Sequence, residues 1–279
     1  MELDFEGEKY QKDEHKINYP EADTKEQNMK ALVIPDVHLK PWLFDRASEI
    51  LNMKKADCAV CLMDIADDWN MQFQTELYRE TYDRAVKFAQ DHPDTLWCYG
   101  NHDLSYPWGM LESGYSVYAE KTAMSGLEKL EHSLKDPSQI AIMHRIDNVL
   151  FAHGGLIADF VRWLDNNLID ADIDEVLAAV NSAPQAYLWN DRSPLWLRPQ
   201  NTNKKAFRSE KYTQVVGHTP VTSICEKNGF ISTDVFSTHP RGGQIGLPNM
   251  IVIDTVSRKY EIIEISVDSK NTAQTESKE

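Results

Sequence analysis

Five short apolar runs in this chain each end in aspartate, asparagine or histidine, and that repeated ending narrows the possible folds more than any other property of the sequence. Ala31 to Pro35 is followed by Asp36-Val37-His38, and Cys58 to Met63 by Asp64-Ile65-Ala66-Asp67-Asp68. Leu96 to Tyr99 leads into Gly100-Asn101-His102-Asp103, Val149 to Ala152 into His153-Gly154-Gly155, and Val215-Val216 into Gly217-His218-Thr219-Pro220. Short apolar runs bounded by turn residues read as buried strands. In an open α/β sheet the carboxyl ends of the strands share one edge, where ligands bind. Five such endings deliver oxygen and imidazole donors to one place. Each motif alone is weak, because a histidine after a strand is more often a turn residue than a ligand. Together they point to a metal centre.

Further strands are expected at 139–143, 222–226, 229–235, 249–254 and 259–266, with helices over 42–53, 73–90, 110–131, 157–168 and 173–181. Strand and helix alternate in the first half, which argues for an α/β fold. Consecutive strands in the last third suggest a second, mainly antiparallel sheet packed on the first. A length of 279 residues fits one large domain, and no internal repeat divides it. Residues 1–28 carry nine acidic and four basic residues and read as a disordered acidic extension. Residues 29–268 form the single folded domain, and 269–279 a polar tail.

The net charge of −15 repels nucleic acid from the average surface, because backbone binding needs clustered Lys and Arg. An anionic substrate is still bound if a local metal outweighs that field. No apolar run approaches the ~18 residues of a membrane span, and residues 1–16 lack the apolar core of a secretory signal. Cys58 and Cys61 form a C-x-x-C, but they lie in a run free of Gly and Pro and have no second pair to complete a zinc site. They read, with Cys98 and Cys225, as reduced thiols of a cytoplasmic protein.

The ordered set of motifs resembles the calcineurin-like metallophosphoesterase superfamily, whose pattern runs D-x-H, G-D-x-x-D, G-N-H-D/E, H-G-G and G-H. His153-Gly154-Gly155 and Gly217-His218-Thr219-Pro220 look closest to the phosphoprotein phosphatase and bacterial diadenosine tetraphosphatase-like branches. The resemblance spans about residues 30–265. It implies two packed mixed β-sheets flanked by helices, a four-layer α/β/β/α sandwich, with a dinuclear site at the strand ends. By position, Asp36 and His38 would bind the first metal, Asp64 would bridge both, and Asn101, His153 and His218 would complete the second. Asp, Asn and neutral His suit two divalent transition-metal ions, Mn first and Fe or Zn next, better than an all-oxygen Mg or Ca cage.

The implied activity is hydrolysis of a phosphomonoester, on a phosphoprotein or a small phosphometabolite, or of a nucleoside polyphosphate, by direct attack of a metal-bridging hydroxide. His102 would protonate the leaving oxygen, with Asp67 holding its ring. Two departures surround Asp64. The usual glycine before it is Met63, and the D-R-G of the phosphatase branch is Asp67-Asp68-Trp69, which lacks the phosphate-gripping arginine. Arg192 is the expected substitute, with Arg198 and Arg241 as rivals. The missing arginine also keeps open a second reading, a catalytically weakened metal-binding scaffold. A nuclease is disfavoured by the acidic charge and by Pro220, where many relatives carry a further histidine. Trp69 and Trp108, beside the motifs, are candidates for stacking on an aromatic substrate. His144 reads as a surface residue.

Overall fold

The first apolar run forms β1 (Lys30–Ile34), whose last four residues are buried. A strand covered on both faces reads as a continuous hydrophobic run rather than an alternating one. The computed structural model describes residues 29–266, so the expectations for 1–28 and 269–279 lie outside the described residues. Helix α1 (Trp42–Asn52) turns Leu43, Phe44, Ala47 and Ile50 inward as one apolar stripe. The chain returns through β2 (Cys58–Cys61), α2 (Thr75–Asp91) and β3 (Leu96–Cys98). Helices α3 (Asn101–Trp108) and α4 (Glu120–Ser133) precede the short β4 (Ile140–Ala141). Strands β1 to β4 are mutually parallel in chain order.

At Ile142 the chain changes sheets. It enters β5 (Met143–Ile146), which pairs antiparallel with β6 (Val149–Ala152). Helices α5 (Ala158–Leu164), α6 (Ile173–Asn181) and α7 (Gln185–Leu188) follow, then β7 (Thr213–Val216), β8 (Cys225–Lys227) and β9 (Phe230–Ser232). Finally β10 (Asn249–Asp254) pairs antiparallel with β1, and β11 (Tyr260–Glu264) with β10. The strand orders are β11-β10-β1-β2-β3-β4 and β5-β6-β7-β9-β8.

Alternate residues of a strand face opposite ways, and β6 shows what each side covers. Val149 and Phe151 pack with the first sheet and its helices, whereas Leu150 and Ala152 pack with residues of α5 and α6. The result is two mixed sheets face to face with helices outside each. Each fully buried Leu or Phe in these layers stabilises the fold by ~1.5–3 kcal/mol relative to exposure.

Four expectations need correction. The helix expected over 110–131 starts only at Glu120 as α4, because the left-handed Gly109 (φ 62°) caps the unexpected α3 just before it and turns occupy 110–119. The strand over 139–143 splits between the sheets. The second sheet is mixed, with β6, β7 and β9 parallel, because β10 and β11 leave it for the edge beyond β1. His144 is buried, its Nε2 3.0 Å from the carbonyl of Trp97 on β3, so it ties one sheet to the other. Among the described residues no helix is long and apolar enough to cross a membrane.

Candidate functional site

The loops after β1 and β2 continue the pairing of their strands. Val37, His38 and Leu39 donate backbone N–H groups to the carbonyls of Met63, Asp64 and Ile65 at 2.9, 2.7 and 3.1 Å. That ladder lays Asp36-Val37-His38 alongside Asp64. The turns are tight: His38, Met63, Asp64, Asp67 and His218 have φ of 41°, 55°, 41°, 63° and 63°. Non-glycine residues held in such conformations cost about 1–3 kcal/mol each and cluster at functional sites. The same geometry explains the glycine usual at position 63, where Met63 bears the strain and is fully buried.

Two groups of ligand atoms result. Asp36, His38 and Asp64 offer atoms all within 4.8 Å of one another, and so do Asp64, His153 and His218. Asp64 belongs to both. Asn101 joins the second group, its Oδ1 3.1 Å from His153 Nε2, which is itself 3.1 Å from Asp64 Oδ2. All six residues expected as ligands therefore converge. Backbone carbonyls orient two of the rings. Nδ1 of His38 lies 2.8 Å from the carbonyl of Asp67, and Nδ1 of His153 lies 2.9 Å from that of Leu62. A carbonyl only accepts, so both Nδ1 atoms carry the proton and both Nε2 atoms face the carboxylates.

The residues fit a metal pair by two further observations. Asp36 Oδ1 and His218 Nε2 are buried with no hydrogen-bond partner, an expensive state for polar atoms unless a cation takes them. A Cβ on Gly100 would lie 1.9 Å from Asp64 Oδ1, and one on Gly217 1.9 Å from Asp36 Oδ1, so both carboxylates sit where only glycine leaves room.

Charge in the centre is unbalanced without a cation. Burial and the neighbouring Asp234 push Asp36 well above the usual carboxylate range. Burial opposes ionisation of Asp64 too, but His153, His102 and His38 together hold it far below that range. Burial disfavours charge on His153, yet Asp64 and Asp36 more than offset it and raise it to about 10. That proton stands where a metal would sit. Burial, with His153 and Arg198 nearby, pushes His218 down, which leaves its Nε2 lone pair available.

The expected acid pair is assembled. His102 Nδ1 lies 2.9 Å from Asp67 Oδ2, and the backbone N–H of His102 donates to Asp64 Oδ1 at 3.0 Å. Burial lowers the affinity of His102 for a proton, but Asp64 and the Asp67 hydrogen bond raise it to about 9.

A cavity of about 230 Å³ opens above this centre, lined among others by His38, Asp64, His102, Arg198 and His218. That is smaller than the ~300–1,000 Å³ of drug-sized pockets, room for a phosphate-sized group but not for most of a larger molecule. Trp69 stands at its edge, 39% exposed. Trp108 instead packs edge-on against Trp189, ring centroids 5.8 Å apart. Arg192 is exposed and does not line the cavity. The chain from Ser193 to Leu197 turns through the interior first, and Arg198 is the arginine that reaches the wall, its Nη1 donating to the carbonyl of His218 at 2.8 Å.

Asp68, at the missing arginine's position, is neutralised. Lys40 Nζ donates to its Oδ2 at 2.8 Å, and Thr238 Oγ1 donates to its Oδ1. Lys40 and Thr238 carry no motif that reveals this. Asp103 is another residue without an expected role. Its oxygens accept the N–H groups of Ile65 at 3.0 Å and Gly100 at 3.1 Å, tying the β2 loop to the start of α3. Its place in the G-N-H-D motif was the available signal. Asp234, buried beside Asp36 and His38, had none.

Comparison with known proteins shows the family of the chain and the likeness of its fold. No curated protein sequence gives a significant match. Among solved structures, the cold-active protein-tyrosine phosphatase of a psychrophilic Shewanella species is similar at 16% identity and a TM-score of 0.52, over 85% of this chain and 80% of that one. A hypothetical protein from Pyrococcus horikoshii OT3 gives 15% identity and a TM-score of 0.46, over 88% and 91%. A metallophosphoesterase from Sphaerobacter thermophilus gives 13% and 0.40, over 88% and 91%. The model of the calcineurin-like phosphoesterase family matches residues 29–240, and with it the chain belongs to that family.

Proposed function

We propose that this protein is a phosphatase that hydrolyses phosphomonoesters at a two-metal centre held by Asp36, His38, Asp64, Asn101, His153 and His218. The observation that carries the reading is the position of Asp64, shared by two clusters of ligand atoms beneath one cavity. The mixture of carboxylate, amide and imidazole donors suits Mn, with Fe or Zn as alternatives. When bound, such ions acidify water and neutralise phosphoryl oxygens.

The chain's own residues do the rest. Arg198 supplies a fixed guanidinium at the cavity wall for the phosphate. A water oxygen bonds to phosphorus as the ester P–O bond breaks, and its proton leaves to solvent. The departing oxygen takes the electron pair of that bond and a proton from His102 Nε2, while Asp67 stabilises the ring through Nδ1. The small cavity favours a phosphate on an exposed carrier, a phosphoprotein side chain or a small metabolite, and exposed Trp69 offers a face for an aromatic leaving group such as a nucleobase. Four free cysteines accord with a reducing, cytoplasmic setting.

The scaffold reading rested on the acid at position 68. Lys40 cancels that charge and Arg198 replaces the lost cation, so little favours it. The test is release of phosphate from p-nitrophenyl phosphate by the Mn²⁺-supplemented chain, abolished by D64N. Full metal occupancy with no turnover on any phosphoester would establish the scaffold instead.

A further inference from the structure

One oxygen of Asp67 holds His102, and the other has two donors of its own. Tyr78 Oη donates to Asp67 Oδ1 at 2.7 Å, and Tyr106 Oη donates to the same atom at 2.5 Å. Both rings are buried, and they arrive from different elements, Tyr78 on α2 and Tyr106 on α3. The proton of Tyr106 is committed to Asp67 because its oxygen lone pair is already engaged, accepting the backbone N–H of Ser116 at 3.1 Å. The ring of Tyr106 is also pinned, stacked on Tyr115 with centroids 4.4 Å apart. Burial and the charge of Asp67 hold both phenols above the ordinary tyrosine range, so they remain donors.

A carboxylate gripped at one oxygen by two donors from separate helices cannot rotate without breaking both bonds. Its second oxygen is then fixed in direction. We propose that Tyr78 and Tyr106 are positioning residues of the proton-donating pair: their hydroxyls lock Asp67 Oδ1, so that Oδ2 holds His102 Nδ1 and turns Nε2 to the cavity. The proposal rests on the reading of His102 as the acid. Phenylalanine would fill the same space at either position; at Tyr106 it also takes the acceptor from the buried Ser116 N–H, so Y78F is the cleaner variant. Each removes a donor from Asp67 and loosens the ring of His102. Help to the leaving group is then lost selectively, because only a basic leaving oxygen needs the proton.

The test uses the full Mn²⁺-loaded chain, aryl phosphates of graded leaving-group acidity, and the variants Y78F, Y106F, Y78F/Y106F and H102N. General-acid help is worth about 10²–10⁴-fold, so the double variant should lose about 30- to 100-fold in kcat on phenyl phosphate and under about 3-fold on 2,4-dinitrophenyl phosphate. KM should stay constant. The single variants each keep one donor, should show a smaller loss of the same selectivity, and decide the matter if the double variant does not fold. A second readout needs no turnover. In the metal-free chain, the imidazole Nδ1–H resonance of His102, assigned by its absence from H102N, should exchange with solvent faster in Y78F and Y106F.

An unchanged leaving-group dependence in the tyrosine variants, beside a steep one in H102N, overturns the role of the tyrosines and leaves His102 as the acid. Equal losses on both esters overturn it also, since they mark a merely structural role. A flat dependence in H102N removes the acid itself and the tyrosine assignment with it.

Discussion

Lys40 Nζ lies 2.8 Å from Asp68 Oδ2, and both side chains are nearly covered, 13% and 9% exposed. Asp68 stands at the wall of the cavity, where a free carboxylate would repel a phosphate. Burial opposes ionisation of Asp68, but Lys40 prevails and lowers its pKa. Removing one partner of a covered ion pair costs ~3–5 kcal/mol, because the other charge is left alone. K40M should therefore destabilise the protein by about 2–4 kcal/mol, the lower end reflecting partial exposure, and raise KM for p-nitrophenyl phosphate. Urea unfolding of K40M against K40M/D68N checks this. The double variant should recover much of both losses.

Variants at Arg198 and Arg192 separate two of the three candidate phosphate anchors. A preorganised donor contributes ~2.7–4 kcal/mol to a transition state, so R198A should lower kcat/KM by about 10²–10³-fold. R192A, exposed outside the cavity, should change it less than about 2-fold. Steady-state kinetics on one ester suffices, and the reverse order would assign the grip to Arg192.

As the proposed acid, His102 should set the alkaline limit of activity. Its raised value, about 9, means that the acid keeps its proton to a higher pH than free imidazole and loses activity above that point. In D67N the hydrogen bond to Nδ1 no longer favours the charged ring, so the limit should move down toward the ordinary imidazole value of ~6.5. The pH profile of kcat/KM on phenyl phosphate measures both.

As a proposed ligand, His153 should make metal uptake pH-dependent. In the metal-free chain it holds its extra proton up to about pH 10, whereas a metal needs the neutral ring. Below that pH, filling the site at Asn101, His153 and His218 must expel that proton, so its affinity for Mn²⁺ should rise with pH, about tenfold per unit where one proton is displaced. Calorimetric titration in buffers of different ionisation enthalpy counts the protons. At least about one should be released at pH 7.

What the sequence reveals and what it hides divides along a physical line. Asp36, Asp64, Asn101, His153 and His218 all lie within three residues of a strand end, so local apolar runs suffice to bring them to one edge. Lys40 and Asp68 are 28 residues apart on two loops, and only the ladder between those loops brings them together. Helix α3 hides because it begins at the ligand Asn101 and contains Pro107, which lacks an N–H and reads as a break. The pairing of β10 with β1 joins residues more than 200 positions apart, and no local pattern encodes it. Arg192 and Arg198 look alike in the chain, and the buried turn between them decides which one meets the cavity.

Anomalous scattering from a Mn²⁺-soaked crystal addresses the metal centre itself. Two peaks per chain are expected, one beside Asp36 and His38 and one beside Asn101, His153 and His218, with Asp64 touching both. No peak at Asp64, or peaks confined to surface carboxylates, would contradict the two-metal centre.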